Sequence, residues 1–360
     1  MTFNFYETKT AKELGVGYSE IDLKKEYTYK EVWDSIPKFT TKDRVVLVDA
    51  DALAYRVSAA TDSRSIVVSR GGKSKGFDTR TKFKSYCKDK DLEYESFDIE
   101  DKVVAEDVSY CLGTLKRAVK NIKERLDATH VLFFLGGKYN ARCDLQLPIQ
   151  YKSARKDLIR PTHLNACREY LVKYHGAYVV TSIEADDVVQ GLTQYIVNDT
   201  DAYGIAWQLD KDFHQSLKPS RYYHPVKEDI IELKGGLGEL YLENNKVKGS
   251  GLLWLLQQLL ISDTSDCYAM NSHYLKRYGE KSYYKDFKDC IDEKDLLAKV
   301  VSKLKVLLPE QIEYWSWDGE HIKTDWLGLC ETYFKCCYMV QYPEDRTTFE
   351  SLLKEWEVEY

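Results

Sequence analysis

The chain has no C-x-x-C pair, no apolar leader and no apolar run long enough to cross a bilayer. Its nine cysteines are scattered and odd in number. Adjacent Cys336 and Cys337 do not make a metal knuckle, so reduced thiols in a reducing cytosol are expected. The longest apolar run, Gly251 to Ile261, falls far short of the ~20 residues that a membrane helix needs. With no secretory signal at the N-terminus, the expected location is cytoplasmic and no membrane partner is expected. Internal repeats, low-complexity segments and any convincing Ser-His-Asp or Cys-His set are also missing, so a side-chain nucleophile is not expected. A basic excess is lacking too. The net charge of -6 does not advertise a nucleic-acid binder, although many carboxylates in one site would pull that sum down.

What is present is apolar and aromatic: 44% hydrophobic residues and 28 tyrosines argue against disorder. Within that background, acids recur at the ends of apolar runs. Gly176 to Val180 reads as a short buried strand, followed by T-S-I-E-A-D-D. Ser182 is a candidate helix N-cap, which puts Glu184, Asp186 and Asp187 in the first helical turn. Glu184 and Asp187, three apart, then share a face. Three ionised carboxylates this close repel one another unless something positive neutralises them, and a hard divalent cation suits oxygen ligands. Taken alone, they could equally be ordinary helix-start acids. The pattern recurs, however. Val45 to Asp51 is a strand-like run ending in Asp49 and Asp51. Ile205 to Asp212 ends in Asp210 and Asp212, and acids at i and i+2 project from one face of a strand. Asp263 and Asp266 follow the apolar helix at 251–261. Ligands of open α/β sheets bind beyond the carboxyl ends of the strands, which makes an acidic metal site the leading expectation.

Cations are placed around these acids. Tyr55 and Arg56 follow the first strand, where they either stack a base and hold a phosphate or pack on the sheet. Residues 62–100 look inserted: a hairpin with a Gly71-Gly72 turn, then a basic helix from Thr81 to Lys90. Lys73 and Lys75 belong to that basic patch, which is suited to phosphates or is simply a solvated face. A helix is expected over 103–127, a strand over 129–135 and another helix over 162–175. Between them lies a second basic cluster: Arg142, Lys152, Arg155 and Lys156, the last three on one face of a helix start. The alternation through residue 217 predicts an α/β class with a central, mostly parallel, doubly wound sheet flanked by helices. Residues 1–40 read as an N-terminal extension packed on the core, 41–248 as the core and 249–360 as a helical C-terminal part, with a small hairpin in 221–248.

The order V-D-A-D, Y-K-x-x-R-K, E-A-D-D, D-K-D-F and S-D-x-x-D, running from about Val45 to Phe287, resembles the 5′-nuclease superfamily. That superfamily includes flap endonucleases and the 5′→3′ exonucleases of tailed phages, with a PIN-like fold. The resemblance implies metal-dependent phosphodiester hydrolysis on DNA with 5′ ends or flaps, RNA–DNA hybrids included, in phage replication or recombination within the host cytoplasm. It implies two Mg²⁺ ions, replaceable by Mn²⁺, held among Asp49, Asp51, Glu184, Asp186, Asp187, Asp210, Asp212, Asp263 and Asp266. Lys152, Arg155 and Asp187 would be catalytic. Tyr55, Arg56, Lys73, Lys75, Arg142, Tyr151, Lys152, Arg155, Lys156 and Lys281 would meet nucleic acid. An arch is implied within 138–162, and a helix–three-turn–helix-like element with a K⁺ site near Tyr278 to Lys281.

Three departures stand beside the resemblance. Leu135 is followed by Gly136-Gly137 where the family has an acid, S-D-T-S-D-C replaces G-D-x-x-D-N, and the glycine-rich turn is reduced to Y-G-E-K. The rival readings are a PIN-type ribonuclease and a catalytically inactive nuclease-fold protein that only binds DNA.

Overall fold

The computed structural model describes residues 25–360, apart from the side chains of Lys156 and Asp157. The first 24 residues of the expected N-terminal extension therefore lie outside the described residues. In chain order the first elements are α1 (Tyr29–Ser35), β1 (Arg44–Asp49), α2 (Ala50–Ala60), β2 (Asp62–Arg70), β3 (Lys73–Phe77), α3 (Arg80–Asp89) and β4 (Asp98–Ala105). Then come α4 (Val108–Arg125), β5 (His130–Asn140), α5 (Leu164–His175), β6 (Tyr178–Ser182), α6 (Ala185–Asp199) and β7 (Tyr203–Trp207). Two hairpins follow, β8 (Ser220–His224) with β9 (Asp229–Leu233), and β10 (Leu240–Glu243) with β11 (Lys246–Gly249). The remainder is α7 (Gly251–Ile261), α8 (Glu280–Phe287), α9 (Glu293–Leu307), the hairpin of β12 (Ile312–Trp315) and β13 (His321–Thr324), α10 (Trp326–Cys337) and α11 (Phe349–Glu355).

The described chain divides into two compact units. The larger comprises Lys25–Ala52, Ile122–Leu158 and His175–Tyr360. It holds a six-stranded sheet in the order β6-β5-β1-β7-β8-β9. Every neighbouring pair is parallel except β8 with β9. The expected α/β class with a mostly parallel sheet is thus the one observed. Strands step outward from β1 to β5 and β6, then jump back to β7 on its other side. This is the doubly wound order, and its crevice lies at the carboxyl end of β1. Val45 to Val48 of β1 are all fully buried, so both faces of the central strand are covered. On one face Val45, Leu47, Phe134, Val180 and Ala206 pack against Val188, Leu192 and Ile196 of α6. Residues 25–40 belong to this unit. Tyr27 pairs with β6 through bonds to Val179 and Thr181, and a Thr28/Glu31 capping box starts α1, whose Val32 is fully buried.

The expected boundary at 248/249 is not where the chain divides. Helices α7 to α11 share one core with Leu147 and Tyr151, so the C-terminal helices and the stretch after β5 fold together. That stretch carries two short 3₁₀ turns, Ala141–Asp144 and Ser153–Asp157, in place of the expected helix start and arch helix.

The smaller unit contains Leu53–Asn121 and Ile159–Tyr174. Its antiparallel sheet has the order β3-β2-β4, with Phe83 and Cys87 of α3 packed on Ile66 and Val68. The Gly71-Gly72 turn is as expected: both residues have positive φ (56° and 78°), the conformation a two-residue hairpin loop needs. The long helix begins only at Val108, because residues 98–105 form β4 on β2 instead. All nine cysteines are free thiols. No described helix is long and apolar enough to cross a membrane.

Glycine 191 shows how tightly α6 is seated. A Cβ there would lie 2.0 Å from the Tyr29 hydroxyl and 2.1 Å from the Gln341 carbonyl oxygen. Alanine normally gains about 1 kcal/mol over glycine inside a helix. Here Gly191→Ala is expected to cost about 2–3 kcal/mol instead, through overpacking. Urea unfolding at equilibrium checks the sign.

Candidate metal centre

The acids gather where parallel strands end. Asp49 is the last residue of β1, and its Oδ1 accepts the Ala52 amide at 3.0 Å. The i, i+2 spacing predicts Asp51 on the strand beside Asp49, but β1 ends at Asp49 and Asp51 lies in the first turn of α2. From there its Oδ2 accepts the Gly136 amide of β5 at 2.6 Å. A Cβ at Gly136 would stand 3.2 Å from that oxygen. The glycine where the resemblance implies an acid is therefore the place where another acid's carboxylate rests.

Asp210 and Asp212 likewise lie beyond their strand. β7 ends at Trp207, and Asp210 caps the following 3₁₀ turn by accepting the Asp212 amide at 3.0 Å. After β6, Ser182 adopts a positive φ of 73° and does not cap α6. Glu184 is the cap, in a reciprocal box with Asp187. Asp263 and Asp266 sit on the turn after α7, closed by paired 3.2 Å backbone bonds between Asp263 and Tyr268.

Cations from the stretch after β5 reach into these acids. Arg142 is almost completely buried. It donates to both oxygens of Asp187 (2.7 and 2.8 Å), to Glu184 (3.0 Å), and to the carbonyls of Lys335 and Tyr338. The Asp187 carboxylate also accepts the amides of Glu184 and Val340, both at 2.9 Å. In this structure the Asp187 carboxylate is filled by these donors, which makes it the anchor of Arg142. Arg142 is corrected from a nucleic-acid contact to a buried counter-ion. Tyr151 needs the same correction: it is 3% exposed, and its hydroxyl faces Glu184 (3.2 Å) and Asp266 (3.1 Å). Lys152 contacts Glu184 and lies 3.7 Å from Asp266, while Arg155 pairs with Asp266. Lys152 is not helical; it adopts a left-handed φ of 55°, with its amide held by the Asp266 carbonyl at 2.8 Å. Lys211, not singled out in the sequence, binds Asp263 at 2.6 Å. A lysine flanked by Asp210 and Asp212 was its signal.

Burial and mutual repulsion set the protonation of the group. Asp49 is pushed up to about 7, first by burial, then by Asp51, with Asp210 adding to it. Asp212 is pushed up to about 8 by burial and Asp210, with Asp266 and Asp263 adding. Burial, then Glu184 and Asp187, hold Asp186 well above the carboxylate range. Glu184 is buried too, yet Lys152 and Arg142 bring it below the usual range. Lys211 does the same for Asp263. The acids therefore form one electrostatically connected set.

Among the described residues, no three of these acids converge as a finished cation cage, because several side chains are turned toward Arg142, Lys152, Arg155 and Lys211. The donor set nonetheless fits a hard divalent cation. It is all oxygen, three of its members are pushed above the usual carboxylate range by burial and by neighbouring acids, and Asp212 Oδ1 is buried with no hydrogen-bond partner.

The other expected contacts fall elsewhere. Tyr55 and Arg56 are exposed on α2 rather than packed on a sheet, and Lys73 and Lys75 are exposed on β3; all four belong to the smaller unit. Lys281 is exposed in the first turn of α8, whose N-cap is Gly279. The Lys156 side chain lies outside the described residues.

No family model matches this chain, and no curated protein does. Three solved structures are similar to it over most of its length. The bacteriophage T5 D15 protein co-crystallised with metal ions has 11% identity and a TM-score of 0.41, covering 87% of this chain and 98% of that one. A point mutant of the T5 5′-exonuclease has 12% identity and a TM-score of 0.39, covering 88% and 98%. The bacteriophage T5 D15 flap endonuclease in a pseudo-enzyme-product complex with DNA and metal ions has 11% identity and a TM-score of 0.43, covering 87% and 98%.

Two outcomes follow from the site. Asp49 and Asp212 keep protons in the folded chain that the unfolded chain releases near pH 4. The folded state binds more protons between that value and about 8, so stability falls as pH rises across this window. Without divalent cations, the melting temperature should be several degrees lower at pH 8.5 than at pH 5.5, and Asp212→Asn should flatten the slope. Separately, Arg142→Met leaves the Asp187 carboxylate buried without its cation, which should cost about 3–5 kcal/mol in chemical denaturation.

Proposed function

We propose that this chain hydrolyses phosphodiester bonds of nucleic acid with divalent cations, acting at 5′ ends or flaps of DNA. One observation carries the reading: a connected set of carboxylates at the carboxyl ends of β1, β6 and β7, edged by Lys152 and Arg155. Asp49, Asp51, Glu184, Asp186, Asp210, Asp212, Asp263 and Asp266 would hold the cations. Bound there, Mg²⁺ or Mn²⁺ supplies Lewis-acid polarisation of the phosphate and an acidified water.

The protein's own groups do the rest. Raised acids such as Asp49 and Asp212 give up their protons when positive charge enters, so the site grows more anionic as it is occupied. Lys152 and Arg155 stand beside Glu184 and Asp266 and offer N–H donors to phosphate oxygens, where charge grows as the bond breaks. Tyr151 holds Glu184 and Asp266 in place from below. Arg142 fixes the start of α6, and with it Glu184 and Asp186. In the smaller unit, Tyr55, Arg56, Lys73 and Lys75 offer an aromatic face and cations suited to a nucleic-acid backbone. Contacts through phosphates make the substrate preference one of structure, weakened by salt.

The test is cleavage of a 5′-labelled flap duplex. Wild type should cut it in Mg²⁺ and stop in EDTA. Asp186→Asn and Asp212→Asn should each slow cutting by about 100-fold or more while keeping the fold. Asp187→Asn should instead lose stability. A wild type that binds the flap yet leaves it whole in both Mg²⁺ and Mn²⁺ would end the nuclease reading.

A further inference from the structure

Among the described residues, four side-chain cations pair with the acid set, and they are not alike. Arg142 spreads its donors over two carboxylates and two main-chain carbonyls inside the core, so it is fixed. Arg155 holds one oxygen of Asp266 from a half-exposed position. Lys152 and Lys211 are different again. Each places one ammonium on carboxylates counted above among the cation ligands: Lys152 on Glu184 and near Asp266, Lys211 on Asp263.

We propose that Lys152 and Lys211 are resident counter-ions of the acid cluster that an incoming divalent cation displaces. Both lysines thereby set the cation affinity, and both are released when the cation binds. The inference rests on the cation-dependent reading of the site. An ammonium and a divalent cation seek the same carboxylate lone pairs, and as like charges they repel when close. Lysine suits the role: it is a compact charge on a flexible stem that leaves without breaking a bidentate fork. Both have somewhere to go. The Lys211 side chain is 48% exposed, and Lys152, 19% exposed, is anchored by its backbone on the Asp266 carbonyl while its stem turns. The released Lys152 ammonium is then free to take a phosphate oxygen, so the grip on substrate is armed by the cation rather than standing ready beforehand. Because linkage is reciprocal, whatever loosens these lysines from the acids tightens cation binding by the same factor.

The measurement is calorimetric titration of Mn²⁺ into the full chain without nucleic acid, for wild type, Lys152→Met and Lys211→Met. Each methionine variant should bind about 5–10-fold more tightly, and Lys152→Arg should not. Unchanged or weaker affinity in a variant with wild-type circular dichroism overturns the proposal while leaving the metal centre standing. Wild type that takes up no Mn²⁺ at millimolar concentration overturns the metal centre itself, and the proposal with it. Wild type alone gives a second readout that does not depend on the variants folding. Acetic anhydride should label Lys152 and Lys211 several-fold faster with Mg²⁺ than in EDTA, relative to exposed Lys305; equal protection in both conditions overturns the proposal.

Discussion

A guanidinium closed off from water has to be matched donor by donor, and Arg142 is matched by residues far apart in the chain. Glu184 and Asp187 come from the start of α6, and the carbonyls of Lys335 and Tyr338 from the end of α10. Val340 completes the knot by donating to Asp187. The stretch after β5, the first turn of α6 and the last helices are thus tied at one point. The position of every acid on α6 follows from it. A lysine could not replace this arginine, since three donors without a planar fork leave one partner unmatched. Such an ion pair contributes little net stability against an apolar alternative. Its effect is registry: it decides which carboxylate is structural and which remain for chemistry.

The electrostatics of the acids follow from that division. Asp187 spends its oxygens inside the knot. Asp186 beside it has no such partner, and burial and the field of Glu184 hold its carboxyl well above the usual range. Asp49 and Asp212 behave alike near β1 and β7. A group of acids in which burial and mutual repulsion raise several members carries less charge, and so less repulsion opposes folding.

Much of the fold was legible because its signals are local. The buried strands announce themselves as runs such as Val45 to Val48, and the Gly71-Gly72 turn demands positive φ whatever surrounds it. β4 was missed because Asp98, Glu100 and Asp101 read as solvent and are strand residues only through pairing with β2. The acids themselves were legible by type and order. Their roles were not, because a carboxylate's role depends on what faces it. Arg142 sat in a basic cluster and read as surface; only the tertiary fold swallows it. Lys211 was hidden between two acids that drew the attention.

Gly136 bears on how such a chain can be compared with others. The end of β5 carries no acid of its own, yet a carboxylate lies there, delivered by Asp51 from the opening turn of α2. Read letter by letter, the chain has a blank at 136 and an acid at 51. In space there is one oxygen on one amide. Chemistry is conserved at points in a crevice, and the chain can supply a point from more than one address, so two molecules could share a working centre while their aligned letters disagree.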